Sequence, residues 1–295
     1  MAILNVDNLT KNYGPIKALK GISFEVPKGA VFGILGPNGS GKTTLLGIVM
    51  SILKPSDGSF RLFGETPTNA HRKQMGTLLE TPNFYHYLSA VQNLKITAAI
   101  KGRGEDDIDR VLALVNLTQR KNSPFSSYSL GMKQRLAIGA ALMGNPDVLV
   151  LDEPTNGLDP VGIAEIRSLI KKLSKEGITI IMASHLLDEV EKVCTHVAIL
   201  KQGALMVSGN VDDIFVHEDI VELGAANLNQ LNEVLTKISG YTKKIEVDGA
   251  IQLYFPQGTA KLDAINSFCF HNGVSLEMLH LKKESLETKF FELTN

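Results

Sequence analysis

The chain has 295 residues, 44% hydrophobic and 21% charged, with 30 basic residues against 31 acidic ones. That composition supports a buried core rather than a disordered chain, and a net charge of −1 gives no global pull toward nucleic acid. The longest charge-free run, Thr81–Leu94, is shorter than the roughly 18 residues of a spanning helix, Cys194 and Cys269 stand alone, and the start MAILNVDNLT lacks an export signal. A membrane channel, a secreted disulfide scaffold and a zinc module are all disfavoured. A cytoplasmic, mixed α/β protein of about two domains is expected.

The elements alternate along the first 214 residues. Ile3–Leu9 and Ile22–Val26 read as alternating, partly exposed strands, with Ser59–Phe63 as a third member of an antiparallel edge sheet. Val31–Leu35, Val148–Leu151 and Ile178–Met182 are near-continuous apolar runs, the pattern of strands buried on both faces of a mostly parallel sheet. Between them, Thr43–Leu53, Leu130–Met143 and Pro160–Ser174 read as helices, the last with Asp159 as N-cap and Pro160 in the first turn.

A boundary is expected near Gly209–Val216, dividing the chain into 1–214 and 215–295. Residues 215–295 hold seven basic and 11 acidic residues and no Arg, a net −4; the first 214 hold 23 and 20, a net +3. The C-terminal pattern reads strand Asp219–Leu223, helix Leu228–Ile238, strands Lys244–Val247 and Gln252–Phe255, helix Lys261–His271 and strand Ser275–Leu281. A last helix is expected over Ser285–Leu293. That βαββαβ order predicts a small α+β, ferredoxin-like unit.

Gly36-Pro37-Asn38-Gly39-Ser40-Gly41-Lys42-Thr43 fits GxxxxGK[ST] between a predicted strand and a predicted helix, the context the motif requires. Glycines at 39 and 41 let backbone N–H groups turn inward without a clashing Cβ. The helix start aims its positive dipole end at phosphates, Lys42 adds a cation between the β- and γ-phosphates, and Thr43 offers a hydroxyl to Mg²⁺. Thr44, next on the same turn, is counted with the nucleotide contacts. The strand Val148–Leu151 delivers Asp152 and Glu153 into the crevice at its C-terminal end. Asp152 is placed to hold Mg²⁺ and Glu153 to orient or deprotonate an attacking water.

Further motifs follow in order: Ser129-Leu130-Gly131-Met132-Lys133-Gln134-Arg135, Leu151-Asp152-Glu153-Pro154-Thr155, Gly157-Leu158-Asp159 and Ser184-His185, with Tyr13 ahead of the cradle. Their order and spacing over roughly residues 2–214 resemble ABC-type ATPases. The resemblance implies a P-loop NTPase fold with a mixed sheet and a helical subdomain, and ATP with Mg²⁺ as cofactors. It also implies two copies packed head to tail, each nucleotide touching the P-loop of one and the signature of the other. Tyr13 then stacks on adenine, Ser129 and Gly131 meet an opposing γ-phosphate, His185 contacts the γ-phosphate and holds Glu153 with water, and Asp159 crosses the dimer interface. Taken alone, Ser129 reads better as a plain helix N-cap, and Asp159 can cap the next helix as well as cross the interface.

This chain departs from the commonest family form at Leu130 and Met132, where Gly and Gln are frequent. It also has Glu80 where the family usually places a Gln near the metal, after the strand Met75–Leu79. A carboxylate there is drawn to Mg²⁺ and repelled by the γ-phosphate. The Glu80-Thr81-Pro82-Asn83-Phe84-Tyr85 stretch and the altered signature resemble the subgroup serving bacitracin- and lantibiotic-type exporters. Phe84, Tyr85, Tyr87 and Leu88 read either as local core or as a docking patch for a membrane permease. The expected function is therefore ATP-driven export of a drug or antimicrobial peptide, by a homodimer held by a permease at the cytoplasmic face of the membrane. A nucleic-acid-binding ATPase is disfavoured by the acidic, Arg-free C-terminal unit, and a degenerate regulatory module by intact Lys42, Asp152, Glu153 and His185.

Overall fold

The computed structural model describes residues 2–79, 82–214, 218–247 and 249–283. The chain divides into two units, Met1–Val211 and Asp212–Asn295. The first opens with β1 (Ala2–Tyr13), β2 (Ile16–Pro27) and β3 (Val31–Leu35), then α1 (Lys42–Val49) and β4 (Asp57–Leu62). A short α2 (Asn69–Lys73) leads to β5 (Met75–Leu78) and to the helices α3 (Ala90–Lys101), α4 (Ile108–Leu114) and α5 (Leu130–Leu142). Strand and helix then alternate through β6 (Val148–Asp152), α6 (Pro160–Lys175), β7 (Thr179–Ser184), α7 (Leu187–Val193), β8 (His196–Lys201) and β9 (Ala204–Asn210).

The main sheet runs in the order β5-β6-β7-β3-β8-β9, parallel except for the antiparallel edge strand β9. Every residue of β3, β6 and β7 is buried, as their unbroken apolar runs require. Because β6, β7 and β3 are adjacent and parallel, their C-terminal ends deliver Asp152, Ser184 and Leu35 to one edge of the sheet. On α1, Leu45, Leu46, Ile48 and Val49 are fully buried, each such burial contributing about 1.5–3 kcal/mol. They share a core with β3 and with a second sheet, β2-β1-β4, which is antiparallel throughout.

β1 and β2 extend further than their hydrophobic patterns indicate. Thr10, Lys11, Asn12 and Tyr13 pair with Lys20, Leu19, Lys17 and Ile16 across bulged register. The pairing is by backbone, so these polar residues carry it without the apolar alternation that marks a strand in sequence.

The end of α5 is held by Lys101. Its ammonium donates to Ala140 O at 2.8 Å, Ala141 O at 3.1 Å and Met143 O at 3.2 Å, occupying all three protons on orphan helix carbonyls. Burial, reinforced by the neighbouring Arg103 charge, lowers its pKa from 10.5 to about 8. A lysine depressed in the folded state binds fewer protons than the unfolded chain between those values, so folding gains stability as pH rises from about 8 to 10.5. Denaturant melts at pH 7 and pH 10 are expected to reveal this rise in the wild type and to lose it in Lys101→Met. An identical pH dependence in both proteins contradicts the assignment.

The second unit begins within the short α8 (Val211–Ile214), three residues before the boundary expected from the sequence. It consists of β10 (Glu218–Gly224), α9 (Leu228–Leu235), β11 (Lys243–Val247), β12 (Ala250–Pro256), α10 (Leu262–His271) and β13 (Met278–Lys283). The sheet order is β11-β12-β10-β13, with every neighbouring pair antiparallel. Val221, Leu223, Leu253, Phe255, Ile265 and Cys269 form its core with α9 and α10. α9 ends at Leu235 rather than Ile238, where Ile238 N–H instead closes a turn onto Leu235 O. β13 starts at Met278, later than Ser275. The helix expected over Ser285–Leu293 lies outside the described residues.

Candidate functional site

The loop between β3 and α1 closes on itself. Lys42 is 6% exposed, and its Nζ donates to Gly36 O at 2.8 Å and Pro37 O at 3.4 Å. Gly36 leaves no room for a side chain: a Cβ there would sit 2.3 Å from Leu200 O and 2.4 Å from Ser40 Oγ. Gly41 caps α1 at φ +104°, and a Cβ would meet Ala18 O at 2.6 Å. Two of the motif's glycines are thus demanded by packing as well as by the loop's turn. Ser40 Oγ is buried and has no hydrogen-bond partner among the described residues.

β6 ends on buried Asp152, and Glu153 follows with φ +48°, a left-handed conformation that costs a non-glycine residue about 1–3 kcal/mol. Its N–H still donates to Ala183 O on β7 at 3.0 Å, which anchors the turn. The result re-aims the carboxylate. Glu153 Oε1 lies 3.4 Å from Lys42 Nζ, and Oε2 lies 2.8 Å from His185 Nδ1. A carboxylate only accepts hydrogen bonds, so His185 presents a protonated Nδ1 to it. Lys42 at the start of α1, Glu153 just after β6 and His185 just after β7 meet around one carboxylate.

A pocket of about 710 Å³ opens over this cluster. Its walls include Asn38, Gly39, Ser40, Gly41, Lys42, Thr43, Thr44 and Glu153, as the motif implies. They also include Ile16, Lys17 and Lys20 of β2 and Gln202 of the β8–β9 turn, which sequence reasoning missed. The signal for these was faint: two lysines on a strand whose start had no apolar pattern. The turn is tied in by Gly203, which donates to Ser40 O at 3.1 Å and accepts from Lys20 N–H at 2.8 Å. Tyr13, at the end of β1, is 44% exposed with Lys11 Nζ 5.0 Å from its ring centroid, and is not among the lining residues.

Ser129, Gly131 and Asp159 line a different pocket of about 420 Å³, together with Leu130 and Leu158. Both caps read from the sequence are formed. Ser129 Oγ accepts from Met132 N–H at 3.3 Å and Asp159 Oδ1 from Gly162 N–H at 2.9 Å. Ser129→Ala is expected to lower stability by about 1 kcal/mol through loss of the α5 cap; equal urea midpoints for the two proteins contradict it.

Within the aromatic stretch the residues divide between packed and exposed positions. Phe84 packs edge-on against buried Phe125 at 5.2 Å, while Tyr85 and Tyr87 are exposed and contact each other at 6.0 Å. Buried Asn93 fixes this segment, its amide bonding Tyr85 N–H at 2.9 Å, Tyr85 O at 3.1 Å and Ser89 O at 3.0 Å. Glu80 lies outside the described residues. For a divalent cation the oxygen donors at hand are Thr43 and Asp152, a hard-ligand set suited to Mg²⁺. No cluster of three or more His, Cys, Asp or Glu residues suited to a metal occurs among the described residues, so an ion here would draw its remaining ligands from water and nucleotide.

The ABC transporter family profile matches residues 19–156. The bacitracin transport ATP-binding protein BcrA of Enterococcus faecalis is 37% identical over 99% of this chain and 96% of its own length. The chain belongs to the ABC transporter ATP-binding family. It is accordingly an ATPase whose hydrolysis is coupled to transport. The lantibiotic transport ATP-binding protein SrtF of Streptococcus pyogenes is 35% identical over 75% of this ABC ATPase and 99% of its own length. Among solved structures, the ATP-binding cassette MJ0796, a dimer in a post-hydrolysis state bound to ADP and Pi, superposes with a TM-score of 0.62 at 26% identity, covering 70% of this chain and 98% of that one. Among the described residues of this ABC ATPase, no helix is long and apolar enough to cross a membrane.

Proposed function

We propose that this chain powers export of an antimicrobial peptide or drug through a separate membrane permease, which holds it at the cytoplasmic face. The carrying observation is the meeting of Lys42, Glu153 and His185 in a chain similar over almost its whole length to a bacitracin transport protein. In this reading Gly36, Pro37, Asn38, Gly39, Ser40 and Gly41 wrap the phosphates with backbone N–H groups, and Lys42 swings from its carbonyl partners to the β- and γ-phosphates. Thr44 and the ring of Tyr13 complete the nucleotide contacts. Thr43 and Asp152, with Glu80 as a further acid, would hold Mg²⁺, whose charge offsets that of the phosphate oxygens. Water attacks the γ-phosphorus, its proton passes to the Glu153 carboxylate, and the bond from that phosphorus to the β–γ bridging oxygen breaks. His185 keeps the carboxylate aimed.

The separation of the two pockets supports a homodimer, in which Ser129, Gly131 and Asp159 of one copy close over the nucleotide of the other. ATP binding then closes the dimer and hydrolysis releases it. Exposed Tyr85 and Tyr87 are the residues we assign to docking a permease helix. Residues 1–214 form the motor. Residues 215–295 form an accessory domain, and the order β11-β12-β10-β13 with antiparallel pairing supports a ferredoxin-like topology for it. Its acidic, Arg-free composition argues against a nucleic-acid partner.

The test is purification of the chain from membranes, identification of any retained hydrophobic subunit, and co-expression of the pair in a bacitracin-sensitive host. The pair is expected to raise antibiotic tolerance, and Glu153→Gln to abolish the gain. A chain that hydrolyses ATP but retains no hydrophobic subunit and changes no tolerance overturns the proposal.

A further inference from the structure

The second unit contains a cavity of about 310 Å³ that the ATPase reaction does not use. It lies between the residues following α9 and the first turns of α10. Its floor is apolar, with Phe255 and Ile265 each 5% exposed and Ile238 and Phe268 partly buried. Its remaining wall is polar and cationic, formed by Lys237, Lys261, Ser239 and Thr259. No carboxylate lines it, although acidic residues outnumber basic ones 11 to seven over residues 215–295.

The two lysines differ from their neighbours. Lys282 pairs with Glu222 at 2.7 Å, Lys244 bonds Asn232 at 2.6 Å, and Lys243 sits over the Tyr254 ring at 4.9 Å. Lys237 and Lys261 have no ion pair or side-chain hydrogen bond among the described residues. Lys261 is also the N-cap of α10, where a cation is electrostatically disfavoured and supplies no cap to the first-turn N–H groups. An acidic unit thus leaves two exposed cations unmatched on the wall of a cavity with an apolar floor. An anion with a hydrophobic body satisfies both halves, whereas inorganic phosphate leaves the floor uncovered. The volume falls at the lower end of the range for small-molecule sites.

We propose that this cavity binds a small amphipathic carboxylate, its acid group between Lys237 and Lys261 and its apolar body on Phe255, Ile265 and Phe268. The test uses the full chain and fluorine NMR with two probes, 4-fluorophenylacetate and 5,5,5-trifluoropentanoate. At least one is expected to bind saturably, with affinity unchanged by saturating ADP. Lys237→Glu with Lys261→Glu is expected to weaken it roughly tenfold or more, as is replacing the probe's acid by its neutral amide. The lysines are exposed, and circular dichroism verifies the fold; Lys237→Gln with Lys261→Gln serves if the reversal disturbs it. The proposal is overturned if neither probe saturates in the millimolar range. Equal binding of the amide, indifference to both double variants, or displacement by ADP also overturns it.

Discussion

Glu153→Gln is expected to slow ATP hydrolysis by roughly 10²–10⁴-fold, the range for losing a positioned general base. The amide keeps the shape of the carboxylate but cannot take a proton from water. It also cannot accept from both partners: one terminal atom becomes a donor, facing either Lys42 Nζ or His185 Nδ1. Lys42 must leave Glu153 to reach phosphates, and the variant removes the opposite charge that holds it back. ATP affinity is therefore expected to equal or exceed that of the wild type. Single-turnover phosphate release beside equilibrium nucleotide binding separates the two quantities. Near-normal hydrolysis removes Glu153 from the base role, and a large loss of binding relocates its contribution to the ground state.

Lys42→Ala is expected to weaken nucleotide binding roughly 10- to 100-fold, the value of about 1.5–3 kcal/mol for hydrogen bonds to a charged group. The lysine is buried and its donors are spent on Gly36 O, Pro37 O and Glu153, which hold the loop in shape before nucleotide arrives. Its removal leaves Gly36 O and Pro37 O without this donor, a local loss in a loop that Gly203 still ties through Ser40 O, so the fold is expected to survive. Calorimetric titration with ATP, alongside thermal unfolding, distinguishes lost affinity from lost structure. Unchanged affinity in a folded variant contradicts the cradle assignment. The two variants act in opposite directions on binding because Lys42 and Glu153 restrain each other when no nucleotide is bound.

Much of the site is local chemistry and so was legible in order along the chain. A strand that must be buried on both faces has to be apolar throughout, so Val31–Leu35 and Val148–Leu151 marked the strands that β3 and β6 realise. The cradle is a contiguous octet whose backbone does the work, and the caps Ser129 and Asp159 act within four residues of themselves. The extension of β1 and β2 was not legible, because backbone pairing of polar residues leaves no hydrophobic period. The contribution of Lys17, Lys20 and Gln202 to the pocket was hidden for a related reason: it depends on a turn after β8 folding back onto the loop after β3. The division of the aromatic stretch into partly buried Phe84 and exposed Tyr85 and Tyr87 depends on Phe125, some forty positions away.

The sequence by itself determined the strand–loop–helix octet and the strand-end carboxylates, because glycine freedom, a lysine cation and an apolar run ending in acids are properties of single residues and short spacings. Tertiary structure decided that Glu153, rather than adjacent Asp152, meets both Lys42 and His185. That choice follows from a left-handed turn at Glu153, anchored to Ala183 O, and from the parallel adjacency of β6, β7 and β3. It also decided that Ser129, Gly131 and Asp159 line a pocket apart from the cradle, since the rigid strands and helices that carry them hold the two sets separate.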